Sequence, residues 1–220
     1  MRTRVAVYIV LGVLALAAPL LGIYPVFMTQ LLCFAMFACA FNLLLGYTKM
    51  LSFGHAAYFG SSGYVTGWLV ADHGRGTVTG ILAGVGVALL LGLCIGAIAV
   101  RRQGIYFAMI TLALSQLVFF VCLQADFTGG ENGLQGIPRG RLLGLLSLDR
   151  DASMYYFVLA VFVVVYFFIR RIVRSPFGHV LEAIRENEPR AISLGYKVDR
   201  YKLVAFVLSA GIAGGTGQFM

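Results

Sequence analysis

Residues 170–202 read RRIVRSPFGHVLEAIRENEPRAISLGYKVDRYK, a basic segment set between two hydrophobic runs. It holds eight Lys or Arg against four Asp or Glu. A loop this basic between membrane spans belongs on the cytoplasmic side. It is also built like a docking element. Ser175 can cap a helix whose first residue is Pro176. Val180, Leu181 and Ile184 then form an apolar face, while Glu182, Arg185 and Glu186 point elsewhere. Pro189 cannot continue that helix and should open a second short one, which Gly195 is placed to end. The expectation is two short helices with a bend, their apolar face covered by a cytoplasmic partner.

The rest of the chain explains why such a loop is needed. Of the 220 residues, 60% are hydrophobic and 12% charged, and the mean hydropathy is +0.89. Soluble domains carry about 25% charged residues, so this is an integral membrane protein. Hydrophobic stretches run over 5–23, 26–47, 51–71, 77–100, 104–124 and 153–169, and a seventh starts at residue 203 and is still running at 220. Each span needs about 20 apolar residues. The fold class is therefore all-α, a polytopic transmembrane bundle with about six full spans and a truncated seventh. It is read as one membrane domain over 1–220, with 170–202 as the cytoplasmic loop within it. The seventh stretch has no polar stop, so the chain is expected to be a piece of a longer one. The first stretch has a basic start and an Ala15–Ala17 pair suited to signal cleavage. Because apolar sequence continues past it, a retained span is the reading adopted.

Charge sets the orientation. With the N-terminus inside, the inner segments hold Arg2, Arg4, Lys49, Arg101, Arg102 and the eight of the long loop, 13 in all. The outer segments hold Arg75, Arg139, Arg141 and Arg150, which is 4. This bias accounts for the net charge of +8 without any nucleic-acid partner. The four cysteines, Cys33, Cys39, Cys94 and Cys122, lie in apolar runs without metal-ligand spacing and are read as small buried side chains.

Within the spans, Gly80, Gly84, Ala88, Gly92 and Gly96 recur at four-residue intervals. On a helix they line one face and admit a close neighbour. The stretch SFGHAAYFGSSGYVTGW (residues 52–68) is dense in glycine, which predicts a broken span beside a cavity or a tightly packed one. Its Gly54, His55 and Gly60, together with Asn42, Thr111 and Ser115, are the candidate translocation-pathway residues. Helix-to-helix hydrogen bonding is the competing reading for the polar ones. The outer loop DFTGGENGLQGIPRG is rich in turn residues, and RLLGLLSL after it is expected to lie at the membrane surface. No phosphate loop, HExxH or GxSxG occurs, so no catalytic residue is assigned and the chain does not hydrolyse ATP by itself. The six complete spans carry no interior Asp, Glu, Lys or Arg, which argues against a stand-alone ion-coupled transporter. A membrane enzyme lacks its catalytic cluster.

The segments GYTKMLSFGHAAYFG, RRQGIYFAMITLALSQLVFF, FTGGENGLQGIP and FGHVLEAIRENEPRAISLGYKVDRYKLVAFVLSAGIAGG occur in this order. Together they resemble the permease subunits of branched-chain amino-acid ABC importers, of the type called M. The resemblance covers residue 41 to the end. It implies a second related permease subunit, two ATP-binding cassette subunits that hold the ATP, and an external substrate-binding protein. It implies a multi-pass place in a bacterial or archaeal cytoplasmic membrane. It also implies that Glu182, Ala183 and Gly195 belong to the loop that docks on the ATPase, with Pro189 standing where the general ABC permease loop pattern has a glycine. Permeases for urea or short amides look similar, and that substrate class stays open.

Overall fold

The computed structural model describes residues 24–71, 77–125, 128–130, 133, 141–142, 146–147 and 151–219. The expected first span, 5–23, and most of the outer loop lie outside the described residues. Pro25 opens helix α1 (Pro25–Thr48), where its missing N–H is one the first turn leaves unbonded in any case. Lys49 ends α1 in the left-handed conformation, φ 55°, and returns its N–H to the Leu45 carbonyl at 3.2 Å.

Residues 49–54 follow without regular structure, and α2 runs His55–Ala71. Of the two expectations for the glycine-rich stretch, a broken span and a tightly packed one, the structure shows the second over His55–Ala71, one continuous helix preceded by an irregular lead-in. Its glycines do not interrupt it because tertiary packing outweighs their poor propensity. An added Cβ at Gly63 would lie 2.9 Å from the carbonyl of Gly217, so bulk there has no room. Helix α3 (Thr77–Ala99) follows, then α4 (Ile105–Gln124). Two-residue strands, β1 (Arg141–Leu142) and β2 (Leu146–Ser147), pair antiparallel with Arg141 opposite Ser147. This small ladder departs from an all-helical chain. It is followed by α5 (Asp151–Val173), α6 (Pro176–Glu186), α7 (Glu188–Ser193) and α8 (Val198–Gly217).

Among the described residues, 4 helices are long and apolar enough to cross a membrane: α1, α3, α4 and α5. Helix α2 has 17 residues, and α8 begins with a charged turn.

The small residues of α3 decide how the helices pack. Gly80, Gly84, Ala88, Gly92 and Gly96 are all buried. The first two face α2: a Cβ at Gly80 would lie 3.0 Å from Val70 Cγ2, and one at Gly84 would lie 2.8 Å from the Ser62 carbonyl. The last two face α8: a Cβ at Gly92 would lie 2.6 Å from Ala210 Cβ, and one at Gly96 would lie 2.8 Å from Phe206 Cδ1. Ala88 fills the space that Gly214 leaves. One stripe therefore seats two helices. Lipid is as apolar as leucine, so close backbone approach and interhelical hydrogen bonds hold such a bundle together. Thr66 Oγ1 donates to the Gly80 carbonyl at 3.0 Å, Gln218 Nε2 to the Ile81 carbonyl at 3.1 Å, and Ser62 Oγ to the Gly214 carbonyl.

A second core joins α1 to α5 through Leu32, Cys33, Met36, Tyr155 and Val158. Cys33 is buried there as expected, whereas Cys94 is exposed on α3. Helix α8 also packs on α1, so it lies between the two halves.

Candidate functional site

The site is built on the polar segment between α5 and α8. Ser175 caps α6, its Oγ accepting from the Gly178 N–H at 3.4 Å, and Pro176 occupies the first turn. Gly178 is required by contact. A Cβ there would lie 2.8 Å from the Ile172 carbonyl and closer still to that of Val173. Helix α6 therefore starts directly on the last turn of α5. Asn187 ends α6 and caps α7, its Oδ1 accepting from the Arg190 N–H at 3.0 Å. After α7, Gly195 takes φ +86°, a conformation that suits glycine at a helix end.

The apolar face of α6 is turned inward. Leu181 is 1% exposed and Ile184 is 3% exposed. Ile184 packs with Ala191 of α7 and Val198 of α8, and Val180 and Tyr201 lie against that cluster. The expectation that another protein covers this face is corrected for Leu181 and Ile184, which the chain itself buries, while Val180 stays half-buried. The bend at Asn187 folds α7 back under α6, and the chain supplies its own cover. The two short helices become one unit fused to α8.

Charge locks the same unit. Lys202 Nζ donates to Glu188 Oε1 at 2.6 Å, and the side chains are 5% and 21% exposed. Gln103 Nε2, between α3 and α4, donates to the same oxygen at 2.9 Å. Glu188 therefore ties α7 to α8 and to the α3–α4 turn. Sequence reasoning missed Glu188, Lys202 and Gln103. Lys202 looked like the last charge of a solvated loop, yet it lies in the first turns of α8.

What the unit leaves outward is a mixed surface. Glu182, Ala183, Arg185 and Glu186 of α6 are exposed, as is Gly195. Beside them are Ile192 and Leu194, 56% and 68% exposed. Two such aliphatic side chains at the end of a polar helix form the part of the surface that a second protein would most readily cover.

The candidate pathway residues separate into two groups. Gly54, His55, Thr111 and Ser115 are buried within the chain. His55 Nε2 lies 2.8 Å from Ser209 Oγ, which donates to the Ala40 carbonyl at 2.5 Å. With the hydroxyl proton on Ala40, the imidazole must be the donor to Ser209. This polar relay connects α2, α8 and α1. The rings of Phe37, Phe41, Tyr58 and Phe206 surround the imidazole edge-on. Thr111 Oγ1 donates to the Ala108 carbonyl at 2.9 Å and accepts from the Phe53 N–H at 3.2 Å, pinning the lead-in to α4. Ser115 bonds back to the Leu112 carbonyl at 2.8 Å. Asn42, by contrast, is exposed on α1, and Gly60 of α2 is half-buried with open space beside it.

With this geometry in place, comparison with known proteins is specific. Residues 23–220 match the family described as branched-chain amino acid transport system / permease component. The chain is 30% identical over 213 residues to the high-affinity branched-chain amino acid transport system permease protein LivM of Salmonella typhimurium, covering 86% of this chain and 50% of that protein. It is 31% identical over 200 residues to LivM of Escherichia coli, covering 80% and 47%. It is 26% identical over 176 residues to a probable LivM of Methanocaldococcus jannaschii, covering 73% and 50%. The chain spans about half the length of these relatives. No solved structure matches it.

Proposed function

Because the chain belongs to the family of branched-chain amino acid transport system permease components, we propose that it is a membrane subunit of an ATP-driven importer of branched-chain amino acids. In this reading a second, related permease completes the pathway. Two separate ATPase subunits bind and hydrolyse the ATP, and an external binding protein delivers the substrate. The N-terminus and the unit α6–α7 face the cytoplasm, as the 13-to-4 distribution of basic residues favours.

The observation that carries the reading is the fusion of α6 and α7 to the start of α8. A surface that reports nucleotide state must be rigidly joined to a span. Here the joint consists of a buried apolar cluster and the Lys202–Glu188 pair. We propose that the ATPase covers Ile192 and Leu194, with Glu182, Ala183, Arg185, Glu186 and Gly195 at the rim. Movement then passes through α8 to the bundle. Asn42 and Gly60 are proposed to face the pathway, while Gly54, His55, Thr111 and Ser115 hold its wall in position.

The test is uptake of radiolabelled leucine by proteoliposomes holding the permeases, the ATPase subunits and the binding protein. Uptake should need ATP inside and stop when the ATPase subunits are omitted. Uptake driven by a proton or sodium gradient alone would contradict the reading.

A further inference from the structure

Beside the proposed ATPase contact, α6 and α8 enclose a groove of about 520 Å³. Its walls are Phe177, Tyr196, Lys197, Arg200, Tyr201 and Val204, with Gly195 at one end. The Phe177 and Tyr201 rings stack at 5.7 Å and 24°, and Tyr196 meets Tyr201 edge-on at 6.1 Å. Both cations are exposed, and among the described residues no carboxylate lines the groove. The mechanism described above gives no role to Phe177, Tyr196, Lys197, Arg200 or Val204.

The groove has a direction. Lys197 and Arg200 stand at the first turn of α8, and Val204 lies one turn further along the same face as Arg200. Val204 is 47% exposed, at the point where the polar loop gives way to the apolar span. Positive charge at one end, aromatic walls in the middle and an aliphatic side chain at the other follow the order of a phospholipid, from phosphate through glycerol to acyl chain. Tyrosine is suited to that boundary because its ring is apolar and its hydroxyl is wet. Arg170, Arg171 and Arg174, all exposed at the end of α5, add to the local positive potential. A free phosphate would use the cations and leave the aromatic and aliphatic walls unexplained.

We propose that this groove binds an anionic membrane lipid, with Lys197 and Arg200 on the headgroup phosphate and Phe177, Tyr201 and Val204 against the start of an acyl chain. The inference rests on the reading of the chain as a membrane subunit. It is tested by lipid retention, so it can fail while the transport reading stands.

The experiment is native mass spectrometry of the full chain in detergent, titrated with phosphatidylglycerol or phosphatidylcholine. Two cations near the headgroup should favour phosphatidylglycerol on the order of 30-fold. The double variant Lys197→Gln/Arg200→Gln should bring the two lipids to parity. Arg101→Gln/Arg102→Gln removes the same charge outside the groove and should keep the preference. Equal retention by wild type and the groove variant would overturn the proposal, as would an equal loss in the control. Displacement of the lipid by millimolar inorganic phosphate would reassign the groove to a free anion. Shielding of a cysteine placed at Tyr196 by the ATPase subunits, with none by phosphatidylglycerol, would reassign it to a protein contact.

Discussion

Breaking the Lys202–Glu188 pair one partner at a time should have unequal effects. Lys202 is 5% exposed, and the carboxylate at 2.6 Å is its charge partner. Glu188→Gln keeps the shape and removes the charge, so an ammonium is left in a poorly hydrated place. Removing one partner of a buried pair costs about 3–5 kcal/mol, and the 21% exposure of Glu188 puts this case at the lower end, about 3 kcal/mol. Lys202→Met is milder, about 1–2 kcal/mol, because Gln103 still donates to Glu188 at 2.9 Å and water reaches the other oxygen. The double variant should cost less than the sum by about 1–2 kcal/mol, since neither group is then left unpaired. Thermal unfolding of the purified chain reads this directly. At about 2–4 °C per kcal/mol for a chain of this length, Glu188→Gln should lower the midpoint by about 6–12 °C. Strict additivity, or a Lys202→Met variant at least as damaged as Glu188→Gln, would refute the argument from desolvation.

Three further outcomes follow from the packing and from the proposed orientation. Gly92→Leu should destabilise the bundle by about 1–3 kcal/mol, because the first added carbon already lies 2.6 Å from Ala210 Cβ. Gly86→Leu on the same helix, with nothing within 4 Å, should be close to neutral, and equal midpoints for the two would remove the packing argument. Leu194→Asp should leave folding intact and abolish ATPase stimulation by the binding protein. Leu181→Asp should instead lower stability by several kcal/mol, since it buries an unpaired charge within the chain; the reverse pattern would put the contact on α6. In a cysteine-free background, single cysteines at Ala71 and Ala125 should react with an impermeant maleimide from outside intact cells, and one at Arg190 should not. Labelling at Arg190 would invert the topology.

Local signals in the chain were readable and long-range ones were not. The four-residue interval from Gly80 to Gly96 named the packing face of α3, but it could not say that α2 takes one half and α8 the other. Ser175, Pro176, Pro189 and Gly195 marked the ends of α6 and α7 because caps and breakers act within a few residues. The apolar period of α6 showed that Leu181 and Ile184 are covered. It carried no information on what covers them, and Ala191 and Val198 are too small and too dispersed to announce themselves. The Lys202–Glu188 pair joins residues fourteen apart across a turn, a separation that no helical or strand period predicts. His55 was singled out as a polar group inside a span. Its partner Ser209 is 154 residues away, and only the fold brings them together.

The run of α8 from Val198 to Gly217 has a mechanical consequence. It is a rod about 30 Å long. Its first thirteen residues, 198–210, contain neither proline nor glycine, the usual places for a kink. The glycines come at the far end, where Leu89, Ala88 and Phe59 press on Gly211, Gly214 and Gly217. The shaft is stiff over its glycine-free part, and its weaker end is seated against α2 and α3. In the proposed coupling, a push delivered at α7 would not be absorbed along the way and would arrive at the crossing with α2 and α3 as displacement. Gly195 turns the chain from α7 into the rod at φ +86°, and the Ile184–Ala191–Val198 cluster with the Lys202–Glu188 pair clamps that turn.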